Sequence, residues 1–583
     1  MSVRRVCVLV AVLWVSLGVA ARAQTPSAAE SRADKDLLEV AIPQLETLYR
    51  EHKYTVTQVV QWCLNRIGRY NGIYAALEKV DARGALATAA REDAEAQAGG
   101  SGFTREPLWG VPIVIKENTS VKGLVTSDGW QGYVIPGHEL VAPRDATIVA
   151  KLRAAGAVIL GKTNMPDFAA SDTNRSTAYG RTGNAYDVRF SPGGSSGGTV
   201  TAVTANLALL GNGTDTGNSI RMPASTSAVV GVFPTRGLVS IAGIAPLDWL
   251  LDNTGPIARD VTDAAIALSV MAGEDRADPA TTGSAAKAQP GPYTQYLHAD
   301  ALKGKRFGVP ACILDGAGIP FQGSPSSETD AQVAADREAA HVPLQPETRA
   351  AFLRAVDALR AAGATVVFDD SILGEDFAAT ISRVGTLPYI KEGTERFLAA
   401  YGPAEYHSAE EYEKAVGAPL PPTIIGGDKP GTVPNDTRPV VKQTTFENNP
   451  QAEADVLEPR KRALDIYTAT LDRLHLDGYV YPAAQMPPPD ETMPQDGALS
   501  GGPHSDTGWV NMIGVPAVVV PAGFYANGLP FGLEIAARPW HDGDLLGWAY
   551  AFEQATHWRK PPVLVDKGLV SVGGPPAEQK EPK

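Results

Sequence analysis

The chain is poor in the side chains that bind metals and form disulfides. Its 583 residues include three cysteines and nine histidines, with no Cys-x-x-Cys pair and no close group of cysteines and histidines. Structural metal sites and disulfide frameworks depend on such groups at short spacing. We therefore expect no metal site and no cofactor. Cys63 lies in a stretch with helical spacing and is predicted to be a buried thiol, and the spacing of Cys63 and Cys312 neither requires nor excludes a disulfide.

Positive charge is also scarce. The sequence has 51 lysine and arginine residues against 65 aspartate and glutamate residues, which gives a net charge of −14. Proteins that bind nucleic acid neutralise phosphates with clusters of basic side chains, so this balance argues against nucleic acid as a partner. The remaining composition, with 44% hydrophobic and 20% charged residues, is that of a globular protein.

Long apolar runs are confined to the N-terminus. Two arginines, at positions 4 and 5, precede an apolar run over residues 6–20, and residues 21–23 (Ala-Arg-Ala) fit the small-x-small pattern of a cleavage site. The run is short for a membrane span. We predict a secretory signal peptide over residues 1–23 that is cleaved after Ala23, with an uncleaved anchor as the alternative. The mature chain is then exported, periplasmic or secreted, without stable insertion in a membrane.

The rest of the chain alternates helical and strand patterns. Apolar residues recur at helical spacing over residues 347–361, for example, and continuous apolar runs such as residues 516–521 are typical of buried strands. This alternation predicts an α/β protein. No linker divides residues 35–566, so we expect a single domain, preceded by a disordered linker over residues 24–34 and followed by a disordered tail over residues 567–583.

The sequence contains two glycine-rich loops that carry serines. The first is Ser-Pro-Gly-Gly-Ser-Ser-Gly-Gly over residues 191–198, and the second is Gly-Thr-Asp-Thr-Gly-Asn-Ser-Ile-Arg over residues 213–221. Glycine-rich turns let backbone N–H groups converge on a ligand, and at the end of a buried helix or strand they suit anion binding or oxyanion stabilisation. The small apolar residues between the loops, 199–210, allow close packing. The alternative is that both loops are tight turns around a buried element.

Lys116 follows a continuous apolar run, residues 111–115, that is typical of a strand buried on both faces. A buried lysine loses hydration, so its pKa falls below the usual value of about 10.4. A neutral lysine in such a place can act as a general base. The alternative is a lysine at a strand end whose ammonium reaches solvent along the surface.

Two short motifs match unrelated functions. Residues 156–163 fit the phosphate-binding pattern Gly-x-x-x-x-Gly-Lys-Thr, but the four intervening residues have the pattern of a strand and not of a loop, which argues against nucleotide binding. Residues 194–198 fit Gly-x-Ser-x-Gly, the turn that carries the serine of α/β-hydrolases. That turn needs a strong preceding strand, which residues 186–190 lack. A Ser-His-Asp triad stays open, with its histidine among His475, His504 and His541.

Taken together, the two serine loops and the lysine strand resemble the amidase signature family. Ser195 and Ser219 lie 24 residues apart, as in that family, and the Lys116 strand precedes them. Further matches are Gly161-Lys162-Thr163-Asn164, Pro234-Thr235-x-Gly237, Gly255-Pro256-Ile257-Ala258-Arg259 and Pro521-Ala522-Gly523. The resemblance covers most of the mature chain. It implies a large mixed β-sheet core enclosed by α-helices, and a Ser-Ser-Lys triad.

The resemblance also implies a role for each residue of the two loops. Ser219 would be the nucleophile that forms an acyl-enzyme, and Lys116 would be the base. Ser195, which a cis peptide bond precedes in the chain, would relay the proton of Ser219 to Lys116. The N–H groups of the oxyanion hole would come from Thr216, Gly217, Asn218 and Ser219. The residues expected to orient the loops are Ser196, Asp215 and Arg221, of which the last two could equally form a buried structural pair.

The sequence departs from the family pattern at three points near the expected site, one of which is Glu117 in place of the commoner aspartate. Asn218 stands where glycine is usual, and asparagine is among the residues that best tolerate a positive φ. Residues 126–130, Thr-Ser-Asp-Gly-Trp, would place an acid and an indole near the pocket. We expect the rest of the pocket to be shaped by residues 167–173, 248–251 and 392–449.

The implied function is that of an exported amidase that cleaves the C–N bond of a small-molecule or peptide amide. C-terminal peptide amides suit an exported enzyme, whereas aryl-acylamides, esters and carbamates are alternatives because one acyl-enzyme mechanism serves them all. A component of a tRNA amidotransferase is a further alternative, which the N-terminus and the acidic balance oppose, and a non-catalytic binding protein is another. The sequence leaves the oligomeric state open.

Overall fold

The centre of the protein is a mixed sheet of eleven strands. The structure, a computed structural model, describes residues 28–99, 106–426, 441–495, 498–499 and 501–562. The strands, in chain order, are β1 (Leu77–Val80), β2 (Val111–Lys116), β3 (Ala157–Thr163), β4 (Arg175–Ser176), β5 (Gly180–Arg181), β6 (Leu210–Asp215), β7 (Val230–Phe233), β8 (Asn253–Ala258), β9 (Arg306–Val309), β10 (Thr365–Phe368), β11 (Gly478–Pro482), β12 (Pro494–Gln495), β13 (Ala498–Leu499), β14 (Ala517–Phe524) and β15 (Pro530–Ala536). Two small ribbons, β4–β5 and β12–β13, lie outside the sheet.

The sheet combines parallel and antiparallel pairs in the order β1-β3-β2-β6-β8-β7-β14-β15-β11-β9-β10. The pairs β3–β2, β2–β6, β11–β9 and β9–β10 are parallel. The other six pairs are antiparallel. Because β2 and β6 are parallel neighbours, their last residues, Lys116 and Asp215, lie at the same edge of the sheet.

Helices pack around this sheet. They are Ala28–Leu37, Ile42–Arg50, Val56–Tyr74, Ala82–Gln97, Thr147–Ala154, Gly197–Thr204, Arg221–Thr226, Val261–Met271, Ser284–Lys287, Ala311–Asp315, Asp330–Ala339, Pro346–Ala361, Glu375–Ile381, Ile390–Tyr401, Ala409–Val416, Pro422–Ile425, Pro450–Ala452, Glu458–Leu474, Trp509–Ile513 and Asp542–Thr556. A π-helical turn spans Glu453–Leu457. Short 3₁₀ turns span Gln131–Val134, Asp167–Ala169, Pro279–Thr281, Tyr293–Tyr296 and Leu387–Tyr389. No helix in the described ranges has both the length and the apolar character needed to cross a membrane.

The strands in the middle of the sheet are buried along their whole length. Every residue of β2, β3, β6 and β8 is buried, which is why these strands appear in the sequence as apolar or small-residue runs without alternation. One apolar cluster joins the sheet to helices such as Val56–Tyr74 and Val261–Met271, and a second joins it to helices Glu458–Leu474 and Trp509–Ile513. The predicted α/β class, with a mixed sheet and helices in one domain, is confirmed.

The prediction of a disordered linker over residues 24–34 is wrong for its later part, because the helix Ala28–Leu37 crosses the predicted boundary. On this helix Asp34 accepts a hydrogen bond from the indole N–H of Trp62 at 2.8 Å, and Leu37 is buried. Contacts with a later helix order the segment, and the composition of the segment itself does not report them. The predicted signal peptide, residues 1–23, and the predicted tail, residues 567–583, lie outside the described residues.

Cys63 and Cys312 are both buried and unpaired. Cys63 lies within helix Val56–Tyr74, and burial raises the pKa of its thiol to about 12. Burial raises the pKa of the Cys312 thiol as well. Both thiols are therefore protonated at neutral pH, and the predicted burial of Cys63 agrees with the structure. The two residues form no disulfide, a question that the sequence left open.

The residues that fit a phosphate-binding pattern form a strand. Residues 157–163 are β3, and all of them are buried. Gly161 packs so closely on the neighbouring strand that a Cβ atom there would lie 2.0 Å from the carbonyl oxygen of Lys79. The Lys162 ammonium donates to the carbonyl oxygen of Glu117 at 2.8 Å. The pattern therefore offers no loop of backbone N–H groups that could surround a phosphate, as the strand interpretation predicted.

Candidate active site

Lys116, at the end of β2, touches the first serine loop. Its backbone N–H donates to Asn212 Oδ1 on β6 at 3.0 Å, which fixes the strand end. Its Nζ atom lies 2.7 Å from Ser195 Oγ and 3.0 Å from Ser196 Oγ. The same Nζ lies 3.3 Å from the carbonyl oxygen of Thr214. The lysine and the serine that the sequence singled out are therefore in direct contact.

Burial determines the acid–base behaviour of Lys116. Loss of hydration lowers the pKa of its ammonium group to about 7, against the opposing negative charges of Asp215, Asp128 and Asp252. A large fraction of the amine is therefore neutral near pH 7, which is the state that a general base requires. The alternative of a lysine that reaches solvent is excluded, because the side chain has no exposed surface.

The first loop leads directly into a buried helix. Ser195 and Ser196 are buried, and the helix Gly197–Thr204 begins after them. The peptide bond between Gly194 and Ser195 is cis, as the resemblance implied. Ser196 Oγ donates to the carbonyl oxygen of Thr214 at 3.2 Å, so this serine connects the loop to β6.

The second loop follows β6 and leads into helix Arg221–Thr226. The backbone N–H groups of residues 216–219 have no acceptor within the part of the chain that the structure describes, so four consecutive donors are available to a bound oxygen atom. The backbone N–H of Ser196 donates to the carbonyl oxygen of Ser219 at 3.2 Å, which joins the two loops. No hydrogen bond between the described side chains connects Ser195 Oγ to Ser219 Oγ, and catalytic contacts of this kind often tighten only when substrate binds.

Asp215 and Arg221 form a fully buried ion pair. Arg221 Nε lies 3.1 Å from Asp215 Oδ2. The guanidinium group also donates to Glu534 Oε1 at 2.7 Å and to the carbonyl oxygen of Gly217 at 2.7 Å. Asp215 Oδ2 in turn accepts from the backbone N–H of Ile220 at 2.9 Å. The pair is therefore structural, and through Gly217 and Ile220 it also shapes the second loop.

Two residues that sequence reasoning missed complete this network. Asn511 donates from Nδ2 to Asp215 Oδ1 at 2.9 Å and accepts from Arg221 Nη2 at 2.6 Å. Glu534 accepts from Arg221 and from the Tyr481 hydroxyl at 2.9 Å. Burial raises the pKa of Glu534 to about 6, with Arg221 acting against the rise. Asn511 and Glu534 lie 290 and 313 residues after Arg221, so no local pattern connects them to the loop.

Asn218 does not use a glycine-like conformation. It is not among the residues with positive φ, so this position does not need the tolerance that asparagine offers. Its Nδ2 donates to Asp172 Oδ1 at 3.1 Å. Asp172 belongs to the pocket segment predicted at residues 167–173, and His504 Nδ1 lies 3.8 Å from its Oδ2 atom.

Thr216 is supported by Asp252, the residue that follows the segment predicted at residues 248–251. Its Oγ1 donates to Asp252 Oδ1 at 2.6 Å. Asp252 Oδ2 accepts from the backbone N–H of Asp248 at 3.2 Å, and Asp248 Oδ2 accepts from Thr386 Oγ1 at 2.5 Å. Burial raises the pKa of Asp252 to about 7. A line of buried acids therefore supports the start of the second loop.

Phe321 covers the middle of the second loop. A Cβ atom on Gly217 would lie 2.6 Å from Phe321 Cδ2, so the ring would have to shift to admit a larger residue. The Phe321 side chain is 40% exposed, which is unusual for a large apolar residue in this protein. Sequence reasoning did not single it out, because one phenylalanine in an irregular segment carries no pattern.

Of the acid and the indole predicted near the pocket, the acid acts on Lys116, and the indole packs among aromatic rings. Asp128 is buried, and its charge and that of Lys116 affect each other. Burial raises the pKa of Asp128 well above its usual range, and its Oδ1 atom has no hydrogen-bond partner within the described residues. Trp130 packs against Phe168 and Tyr412, with ring centroids 5.3 Å and 5.9 Å apart. Asp128 is therefore the member of this segment that influences Lys116.

The three histidines that left a Ser-His-Asp triad open do not contact the serines of either loop in the described structure. His475 follows helix Glu458–Leu474, and His541 pairs with Asp544 at 2.9 Å near the surface. His504 faces Asp172 instead. Across the described ranges, no group of three or more histidine, cysteine, aspartate and glutamate side chains is placed to hold a metal ion.

A cavity of about 650 Å³ opens beside Trp249. The Arg396 guanidinium lies 4.5 Å from the Trp249 ring centroid, and the Phe446 ring meets the indole edge to face at 5.7 Å. Arg396 and Phe446 belong to the region predicted to shape the pocket, residues 392–449, of which residues 427–440 are outside the described ranges. The cavity lining contains neither Lys116 nor the serines of the two loops.

Comparison with known protein families identifies the family of this chain. Residues 58–316 and 320–546 match the family described as Amidase. The chain belongs to the amidase signature family. The matched residues include β2 and both serine loops, and members of this family cleave carbon–nitrogen bonds, so the protein is an amidohydrolase-type enzyme.

The chain is similar over almost its whole length to one subunit of bacterial glutamyl-tRNA(Gln) amidotransferases. It is 31% identical over 539 residues to one subunit of this enzyme from Symbiobacterium thermophilum, a match that covers 90% of this chain and 99% of the relative. The corresponding protein of Desulforudis audaxviator is also 31% identical, over 548 residues, with 90% and 98% covered.

Solved structures of this family share the fold. The peptide amidase of Stenotrophomonas maltophilia is 29% identical with a TM-score of 0.68, and the match covers 90% of this chain and 98% of that one. A bacterial aryl acylamidase of the amidase signature family is 22% identical with a TM-score of 0.66, and the match covers 89% and 96%.

Replacing Arg221 with methionine should strongly destabilise the protein. The change leaves the buried carboxylates of Asp215 and Glu534 without a cation, and breaking a buried pair in this way costs about 3–5 kcal/mol. Thermal unfolding should show a large fall in Tm. The control is Arg383→Met, which removes an ion pair with the exposed Asp330 and should cost about 0–1 kcal/mol. Equal effects of the two substitutions would contradict the role given to the buried pair.

Proposed function

We propose that the protein is an amidase with a Ser-Ser-Lys triad, in which Ser219 is the nucleophile, Ser195 the proton relay and Lys116 the base. The observation that carries the proposal is the 2.7 Å contact between Lys116 Nζ and Ser195 Oγ, in a fully buried place that lowers the pKa of the lysine to about 7. A serine hydroxyl is a poor nucleophile until a base takes its proton, and this amine is a base in contact with the serine loops.

The hydrogen bonds around Lys116 fit a neutral amine, which has two N–H groups and one lone pair. The Thr214 carbonyl oxygen can only accept, and Ser196 Oγ gives its own proton to that carbonyl, so both accept N–H groups of the amine. The hydroxyl of Ser195 is then the group that donates to the lone pair. Ser195 is therefore the serine whose proton Lys116 can take.

The reaction follows from this arrangement. Ser195 passes its proton to Lys116 and takes the proton of Ser219, whose Oγ has to rotate to within hydrogen-bond distance of Ser195 and then attacks the amide carbonyl carbon. The free N–H groups of Thr216, Gly217, Asn218 and Ser219 donate to the oxyanion that forms. When the C–N bond breaks, the Lys116 ammonium returns the proton through Ser195 to the leaving amine. Water then attacks the acyl-enzyme by the same relay and releases the acid, so the steps require no cofactor.

The proposed substrates are small-molecule or peptide amides, in particular C-terminal peptide amides. The similarity to the peptide amidase of Stenotrophomonas maltophilia supports this choice, since 29% identity extends over 90% of the chain. A solved structure of a peptide amidase that is also 29% identical, over 90% of this chain, contains the competitive inhibitor chymostatin. Aryl-acylamides, esters and carbamates would use the same acyl-enzyme steps and are the alternatives within the family.

A component of a tRNA amidotransferase is the second candidate. The 31% identity to two bacterial proteins of that enzyme over 90% of the chain favours it. The net charge of −14 and the apolar N-terminal run oppose it. A hydrolase of free amides acts alone, whereas one component of a larger enzyme needs its partners, so activity of the purified chain separates the two candidates.

Ser219→Ala should abolish amide hydrolysis by the purified chain, because the substitution removes the nucleophile. The loss in kcat should be about 10⁴–10⁶-fold, as for other serine hydrolases that lose a member of the triad. The measurement is kcat/KM on a panel of peptide amides, anilides and short aliphatic amides without added partner proteins. A fluorophosphonate should label Ser219 in the wild type and not in the variant.

The matched control for this experiment is Ser371→Ala, which removes an exposed serine hydroxyl and should leave turnover unchanged. Retained activity in Ser219→Ala would refute the assignment of Ser219 as the nucleophile. Turnover that appears only after a stoichiometric partner is added would favour the amidotransferase candidate.

The kcat/KM for amide hydrolysis should rise with pH and level off above about 7, because only the neutral amine of Lys116 can take a proton. Below this pKa the rate should fall about tenfold for each pH unit. Lys116→Arg keeps the positive charge but cannot lose its proton, so this variant should be inactive at every pH. A flat profile between about pH 6 and 8 in the wild type would contradict the role of the lysine.

The proposal extends to export, which the two N-terminal arginines, the apolar run and the Ala-Arg-Ala pattern support. Expression of the full chain in a bacterium with a periplasm should give an exported protein whose first residue is Gln24. The first residue can be identified by N-terminal sequencing of the protein from the periplasmic fraction. The substitution Ala23→Arg should block the cleavage. A cytoplasmic protein that still begins at Met1 would rule the proposal out.

A further inference from the structure

Asp172 lies between the two serine loops. Its Oδ1 accepts a hydrogen bond from Nδ2 of Asn218, the residue before Ser219, at 3.1 Å. Its backbone packs against Gly194, the residue before Ser195, since a Cβ atom on Gly194 would lie 3.0 Å from the Asp172 carbonyl carbon. This carboxylate is therefore within a side-chain length of the place where the substrate carbonyl has to lie.

The second oxygen of Asp172 is open to a ligand. The side chain is 26% exposed, and the Nδ1 atom of His504 lies 3.8 Å from Oδ2, which is beyond hydrogen-bond distance. The charged groups that act on this carboxyl are His504 and Asp215, and the charge of Asp215 is already paired with Arg221. Among the described residues, no lysine or arginine forms an ion pair with Asp172. A cationic group of a bound substrate can therefore pair with its Oδ2 atom.

Phe321 offers apolar surface beside this carboxylate. Its ring contacts Gly217, whereas Asp172 contacts the side chain of the next residue, Asn218. A lysine or arginine side chain has an apolar stem and a cationic head, and an aromatic ring attracts both parts. An exposed ring that contacts Gly217 and an open carboxylate that contacts Asn218 therefore match such a side chain.

The geometry also indicates where the substrate carries its charge. The carboxylate is separated from the loop by the asparagine side chain and a 3.1 Å hydrogen bond. This distance is too long for an ammonium on the atom next to the scissile carbonyl, and it suits a cation at the end of a side chain. We propose that Asp172 makes the site selective for amides whose acyl residue carries a long cationic side chain, such as the C-terminal amide of lysine or arginine. The inference rests on the proposed amidase function.

Protonation of Asp172 opposes this selectivity. Burial raises the pKa of Asp172 above its usual range, while His504 and the amide of Asn218 act against the rise. As the pH falls, the Asp172 carboxyl loses the charge that would attract a cationic side chain. Asp215 is paired with Arg221 and does not attract the cation of the substrate. The preference for a cationic substrate should therefore weaken in acid.

The test compares three N-acetylated amides that differ at the side chain: lysine amide, norleucine amide and glutamate amide. Lysine and norleucine have side chains of similar length, so their ratio of kcat/KM isolates the ammonium group. The wild type should prefer the lysine amide over the norleucine amide by about tenfold, as expected for a hydrogen bond between charged groups, and should disfavour the glutamate amide. Added salt should reduce the ratio.

Asp172→Asn keeps an acceptor oxygen for Asn218 and removes the charge. It should abolish the preference for lysine over norleucine, which is read as the ratio of the two kcat/KM values. A Tm close to that of the wild type should show that the variant folds. Phe321→Ala should lower kcat/KM for lysine and norleucine amides alike, because both lose the ring. Asp300→Asn, which removes the same charge from an exposed position, should leave the ratio unchanged.

Three results would overturn the inference. A wild type that hydrolyses norleucine amide as well as lysine amide would refute the selectivity and leave the amidase function intact, and so would an Asp172→Asn variant with an unaltered ratio. A wild type that hydrolyses none of the amides would refute the proposed function and this inference together.

Discussion

The exclusion of water from the Lys116 amine is the constraint on which the site depends. An ordinary lysine has a pKa of about 10.4 and would be a cation at neutral pH, unable to accept a proton. Here the end of β2, the first serine loop and the end of β6 enclose the amine, and its polar contacts are two hydroxyl oxygens and one carbonyl oxygen. The close packing of small residues in both loops is what makes this enclosure possible, since a larger side chain would admit water or displace a serine.

Much of this arrangement could be predicted from local sequence. A strand buried on both faces appears as a continuous apolar run, which identified β2, and helix Val261–Met271 repeats its apolar residues at helical spacing. The two loops are recognisable from their glycines. The sequence could not show the helix Ala28–Leu37, which a later helix holds in place, or the contributions of Asn511 and Glu534, because contacts over several hundred residues leave no trace in a local pattern.

The acids around the site carry less charge than their number suggests. Burial raises the pKa of Asp252 to about 7, so a considerable part of this group is neutral at neutral pH, and it also raises the pKa of Asp128 well above its usual range. The opposing effect of these acids on the Lys116 pKa is therefore limited, which helps the amine to stay uncharged. The formal net charge of the sequence describes the surface of this protein better than it describes the active site.

Arg221 has a consequence for how the protein becomes active during synthesis. The loop that contains Ser219 obtains its shape from an arginine whose partners, Asn511 and Glu534, are among the last parts of the chain to be made. Proteins emerge from the ribosome with the N-terminal part first. A nascent chain that already contains Lys116, Ser195 and Ser219 therefore still lacks the partners that shape this loop, and the proposed activity requires that the C-terminal strands have joined the sheet.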